Sequence, residues 1–366
     1  MTTYIDIHVL QLVPPSCINR DDTGSPKSAR FGGVPRHRVS SQAWKRAVRA
    51  ELQSMLPEES LGERTKFAIS RVAETIKSRH PEVDDEAALD ASRAVFTAAG
   101  VSPDKKHPDQ TGALMFISRQ ELARLADIAA ESMTTGGNVD KKAARQALVG
   151  NEAVDIALFG RMLADAPELN IDAACQVEHA LSIHRAANEF DFFTAVDDNA
   201  PEDNSGAGMM GTVEFVSSTL YRYATINVDR LVSNIGDREA AATAAETFVK
   251  AFALSMPTGR QNTFANRTRP DFVWVEIRED QPVSWVNAFE ASVANDGNAV
   301  ALGVQKMVEH AVSEDRLYGT APAASTYVAT SRVLTDKVKG ALEGRSKAGT
   351  LAELAELAAS AARRGE

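Results

Sequence analysis

Cysteine is close to absent: Cys17 and Cys175 are the two in 366 residues, far apart and outside any C-x-x-C or His-partnered spacing. That excludes a disulfide framework and gives no zinc-site pattern, leaving two free thiols expected to be buried. No apolar run reaches 18 residues, so no membrane-spanning helix is predicted. The opening Met1-Thr2-Thr3-Tyr4-Ile5-Asp6 carries neither the basic nor the apolar stretch of a secretory signal. A cytoplasmic protein without a membrane partner is the expectation. Positive charge is also short overall, with 40 Lys and Arg against 50 Asp and Glu. A net charge of −10 argues against a general nucleic-acid coat protein. No internal repeat is visible, and 44% apolar content is enough for one large core or two to three smaller ones.

What cationic charge there is has been gathered. Between Ser16 and Arg49 stand Arg20, Lys27, Arg30, Arg36, Arg38, Lys45, Arg46 and Arg49, against Asp21 and Asp22 alone. The stretch carries +6, which leaves −16 for the rest of the chain. One surface built for a polyanion, set in a molecule that repels it elsewhere, is the footprint of a selective nucleic-acid site.

Residues 4 to 13 alternate Ile5, Ile7, Val9 and Val13 with Tyr4, Asp6 and His8, the period of a strand buried on one face. After a loop over 18 to 39, Ser40 and Ser41 offer an N-cap, and Trp44, Val48 and Leu52 give the apolar stripe of a helix that Pro57 stops. From about 60 to 185 the texture is Ala-rich and helical, with Ile69, Val72 and Ile76 at helical spacing and a capping box at Ser118 and Glu121. Asp197 to Gly211 reads as a loop between β-prone flanks, predicting a long two-stranded projection. Asp237 caps a helix through Ala241, Ala245, Phe248 and Phe252, Phe272 to Ile277 reads as a strand, and Leu351, Leu354 and Ala358 mark a terminal amphipathic helix. The order is that of a split α+β fold.

On the helix from Ser41, Gln42, Lys45 and Arg49 share one face, away from Trp44 and Leu52. Its N-terminus, with Ser40 and Ser41, is a seat for phosphate; the plain reading is a solubilising face. Gly32 and Gly33 would let backbone N–H groups approach a phosphate, although the loop from Lys27 to Arg38 matches neither the P-loop nor the dinucleotide-binding pattern. Phe190, Phe192 and Phe193 with Met209 and Met210 either stack on bases or form the small core of the projection. Tyr221 and Tyr223 alternate on one strand face, where ordinary packing competes with a stacking role. The acidic pairs Asp21-Asp22 and Asp197-Asp198 sit in turn-like sequence and favour turns over two-metal chemistry. His179 and His184, five apart, share no helical face, and no metal site is assigned. Lys141, Lys142 and Arg145 form a smaller basic cluster behind an Asp140 cap, for which a solvated helix face is the plain reading.

These residues resemble the CasC-type backbone subunit of the type I-E CRISPR Cascade complex. The resemblance is dense over Asn19-Arg20-Asp21-Asp22, Lys27, Phe31-Gly32-Gly33, Arg36, Arg38 and Ser40-Ser41-Gln42 through Lys45-Arg46. It recurs at Val154 to Leu158 with Gly160-Arg161-Met162, at Phe193 to Asp198, at Tyr221 to Ala224 and at Asn287 to Glu290. It implies a hand-shaped α+β subunit with a ferredoxin-like or RRM-like palm (1–59 and 219–366, the latter with C-terminal helices). A large helical fingers insertion (60–185) and a β-hairpin thumb (186–218) split the palm.

The implied function is non-enzymatic. Copies line up side by side along a CRISPR RNA and present guide bases to target DNA, beside CasA-, CasB-, CasD- and CasE-type subunits, without cofactor or metal. Arg20, Lys27, Arg38, Ser40, Gln42, Lys45, Arg46 and Arg49 match RNA-backbone contacts of the palm. Met162 and Phe192, Phe193 and Thr194 match the elements that pack where a neighbouring thumb displaces a base; other members carry Trp where this chain has Phe192. Lys141, Lys142 and Arg145 resemble finger lysines that guide target DNA, with one lysine replaced by Arg and another missing. The alternative is a metal-dependent ribonuclease that cuts guide-complementary RNA through Asp21 or Asp22, and a cruder one is a stand-alone RNA binder of RRM type.

Overall fold

The computed structural model describes residues 2–163, 165–195 and 209–364. The chain divides into two compact units of mixed α and β structure. The first gathers Met1–Glu51, Val177–Thr225 and Phe248–Ala358, and the second Leu52–Gln176, Ile226–Thr247 and Ala359–Glu366.

The first unit is organised by one sheet. Its strands run in the order Lys347–Ala348, Ala324–Ala329, Phe272–Arg278, Tyr4–Ser16, Met209–Asn227, Ala180–Ser182, Val34–Val39 and Ser28–Phe31. Tyr4–Ser16 lies at the centre, antiparallel to Phe272–Arg278 with Ile7 opposite Val275. Its alternation predicts one buried face, yet Asp6 and His8 are fully buried along with Ile5, Ile7 and Val9. A central strand covered on both sides must satisfy its polar residues internally. Asp6 accepts from the Tyr223 hydroxyl and from the Val283 N–H, both at 2.9 Å. The His8 ring stacks on Trp285 with centroids 3.7 Å apart. Burial pushes the Asp6 carboxyl up to about 7 and holds His8 well below the usual histidine range. Tyr221 and Tyr223 are buried here too, with hydroxyls committed to His8 and Asp6, so they pack and offer no stacking platform.

The helix Ser41–Met55 forms as its caps and stripe predict. The Ser40 hydroxyl accepts the Ala43 N–H, and Trp44, Val48 and Leu52 are buried. The Arg222 guanidinium lies over the Trp44 ring at 3.8 Å and donates to Gln11 and to the Phe252 carbonyl. Asp237 caps the helix Arg238–Leu254 by accepting the Ala240 N–H at 2.7 Å. The projection is an antiparallel pair, Glu189–Ala195 against Met209–Asn227, from Glu189 opposite Phe215 to Ala195 opposite Met209. Met209 to Gly211, read from sequence as loop, belong to the strand. Asp197, Asp198 and Pro201 lie outside the described residues.

The second unit packs the helices Ala68–Arg79, Asp85–Ala99 and Arg119–Thr135 around Ile69, Val72, Ile76, Val95, Phe96 and Leu125. Ser118 and Glu121 make the expected capping box. The region is not purely helical: Gly62–Thr65 pairs with Met115–Ser118 in a two-stranded ladder. Among the described residues no helix is long and apolar enough to cross a membrane. Cys17 and Cys175 are buried and form no disulfide.

Candidate nucleic-acid interface

Asn19 stitches the basic stretch into one patch of the first unit. Its side-chain oxygen accepts the Ser40 N–H at 2.9 Å, and its carbonyl accepts the Lys27 N–H at 3.0 Å. The Lys27 carbonyl in turn accepts the Arg38 N–H at 2.9 Å. Arg20, Lys27, Arg38 and the start of the Ser41–Met55 helix are thereby held together. Arg20, Gln42 and Arg46 are exposed, and Lys27, Arg38, Lys45 and Arg49 are partly so. Lys45 and Arg46 make no ion pair among the described residues, so their charge is available to an outside anion. The Ser40 side chain is buried and occupied with its cap, leaving Ser41 as the outer serine.

His179 completes this patch. Its Nδ1 accepts the Ser41 N–H at 3.2 Å and lies 3.4 Å from a terminal nitrogen of Arg38. The acceptor role puts the ring proton on Nε2. Partial burial, then the charges of Arg38 and Lys27, hold its pKa below the ordinary value. Sequence spacing suggested no such place for His179, because the strand and helix it joins are far away in the chain. Cations, a helix N-terminus and amides in one exposed patch suit phosphates rather than base edges.

Two residues of the basic stretch do other work. Arg36 is fully buried, donating to the carbonyls of Phe31, Ser182, Phe289 and Glu290 at 2.9 to 3.1 Å. Gly32, at φ +56°, presses on the same turn: a Cβ there would lie 1.7 Å from the Glu290 oxygen. Arg36 is therefore closed to an outside phosphate, and with Gly32 it bolts the Ser28–Val39 hairpin to the Val286–Phe289 turn. Asp21 anchors its own turn, one carboxylate oxygen accepting from the Thr23 N–H, the Thr23 hydroxyl and the Ser25 N–H. Those bonds hold its pKa below the usual carboxylate range.

In the projecting pair all seven residues from Glu189 to Ala195 are exposed. Phe190 and Phe192 are 67% and 64% exposed, with Met209 and Met210 similar, so the pair forms no core of its own. Phe193 lies over Gly211, where a Cβ would come within 2.6 Å of its ring, and Thr194 faces Met210 across the ladder.

Met162 and the Lys141 cluster belong to the second unit. Arg161, buried, is held by Glu121 at 2.5 Å and by the carbonyls of Leu169, Phe116 and Leu148. Gly160, at φ +76°, fits against the Ile171 carbonyl. This fixed turn leaves Met162 83% exposed. The Asp140 side chain caps the helix Lys141–Gln146; Lys141 and Lys142 are exposed, and Arg145 lies 3.3 Å from Glu168.

No curated protein matches this chain. A family described as CT1975-like protein matches residues 5–357. Among solved structures, a chain of a "CRISPR RNA-guided surveillance complex, pre-nicking" is 33% identical at a TM-score of 0.84, covering 98% of this chain and 100% of that one. A chain of a "CRISPR RNA-guided surveillance complex" is 29% identical at 0.75, covering 98% and 99%. The polypeptide therefore belongs to the CT1975-like family, the CasC-type backbone subunits of CRISPR Cascade complexes.

Proposed function

We propose that this chain carries a CRISPR RNA as a non-enzymatic, cytoplasmic backbone subunit of a Cascade complex. The observation that supports it most is the patch stitched by Asn19, where Arg20, Lys27, Arg38, Lys45 and Arg46 gather around a helix N-terminus. Its groups recognise phosphate and ignore base identity, as the holder of any guide must. Several copies stand side by side, a head-to-tail contact that propagates along the RNA instead of closing a dimer. The exposed projection at Phe192, Phe193 and Thr194 acts as a thumb toward the neighbouring copy, near a Met162 element, and sets bases aside at intervals. Lys141, Lys142 and Arg145 lie along the path of target DNA, and base pairing alone reads sequence. Asp21, occupied in its own turn, gives the ribonuclease alternative no support.

The test is Lys45→Glu with Arg46→Glu, chosen because neither side chain is engaged in an ion pair. The variant should fold with wild-type melting behaviour and lose the co-purifying guide. Guide-loaded assemblies at wild-type yield would contradict the reading.

A further inference from the structure

A second cationic segment reaches the same patch. From Thr247 to Pro270 the chain holds Lys250, Arg260, Arg267 and Arg269 without one Asp or Glu, inside the otherwise acidic remainder. Gly259 rests backbone to backbone on the residues just before Arg20: a Cβ there would lie 2.5 Å from the Ile18 oxygen and 2.7 Å from that of Cys17. The charges of Arg260 and Arg20 both bear on the Cys17 thiol. On the far side, the Phe264 ring is 6.0 Å from Phe215, which faces Glu189 at the base of the projection. The loop thus spans from Arg20 toward the thumb.

Two of its donors lack acceptors among the described residues. Arg260 stands at φ +47°, a backbone region rare for a residue with a side chain. Its Nε is buried without a hydrogen-bond partner among the described residues. Asn266 is 3% exposed, and its amide nitrogen is equally without an acceptor. Arg267 differs, being committed to Glu51 and the Leu254 carbonyl. An arginine donor without an acceptor, next to the residues that precede Arg20, points to an anion as its missing partner.

We propose that the Thr258–Asn266 loop is a second guide-RNA contact, in which Arg260 grips a backbone phosphate adjacent to the one at Arg20. It rests on the RNA-carrying reading above and adds a contact outside the Ser16–Arg49 stretch. Arg260→Gly removes the cation while suiting the left-handed backbone; Arg260→Lys keeps the charge, and Arg267→Ala serves as the control. Each is co-expressed with the other subunits and guides of two unrelated sequences, and guide release from the purified complex is followed against salt. Arg260→Gly should release both guides at lower salt, its log–log slope shallower by about 0.7 for each copy that loses a contact. Lysine should restore most of the slope, and Arg267→Ala should match wild type. A wild-type slope in Arg260→Gly, no rescue by lysine, or a loss confined to one guide sequence would overturn the contact. If Arg260→Gly keeps its guide while Lys45→Glu with Arg46→Glu loses it, the contact falls and the RNA-carrying reading stands. A wild-type complex without guide RNA would overturn that reading itself.

Discussion

Arg36 and Arg38 stand two apart on one strand and differ in burial, Arg36 being enclosed and Arg38 partly exposed. Strand alternation puts them on the same face, and charge counting treats them alike. What separates them is the Phe289–Glu290 turn, distant in sequence, whose carbonyls take Arg36. Arg36→Ala strips donors from buried carbonyls and should destabilise the fold by about 3 kcal/mol or more in denaturant unfolding, whereas Arg38→Ala should cost about 0.5 kcal/mol or less. Equal effects of the two would contradict their assignment. Asp6 makes a second test at this scale. Its pKa rises from 3.8 unfolded to about 7 folded, so its stabilising contribution is present in full below pH 3.8 and is lost as pH rises through 7. Unfolding free energy of wild type relative to Asp6→Asn should therefore fall between about pH 4 and 7, by up to about 1.4 kcal/mol per pH unit. A flat difference would refute the proton on Asp6. Composition gave no sign that Arg36 and Asp6 are buried, because burial of a polar residue is decided by what covers it.

Among the elements, the helix Ser41–Met55 was fully legible: a serine cap, an apolar stripe at Trp44, Val48 and Leu52, and a proline stop are all local signals. The ladder of Gly62–Thr65 with Met115–Ser118 was not, since four-residue strands paired across some fifty residues leave no periodic trace. The projection was legible as a pair of strands, but its Met209–Gly211 end was hidden by glycine, which reads as loop and here makes room for Phe193. An element exposed on both faces adds little to the stability of its own chain. Phe192→Ala with Met210→Ala should leave monomer unfolding within about 0.5 kcal/mol of wild type and reduce the number of copies held on one RNA. Marked destabilisation of the monomer with unchanged assembly would assign the two residues to folding instead of contact.

For the whole molecule, segregated charge was the most informative sequence feature, placing the candidate patch within Ser16–Arg49 in a chain of net −10. It could not show that Asn19 and His179 complete that patch, nor that Arg260 approaches it, because those contacts join segments up to about 240 residues apart. Under the proposed RNA-carrying function, the net negative charge of the rest of the chain would favour RNA at the cationic patch over non-specific binding elsewhere. The most direct test is to co-express this chain with a CRISPR array and the other Cascade subunits, purify through a tag on it, and measure RNA length and protein copies per RNA by native mass spectrometry. One RNA of defined guide length carrying several copies is the predicted result; heterogeneous RNA bound to single copies would contradict the backbone function.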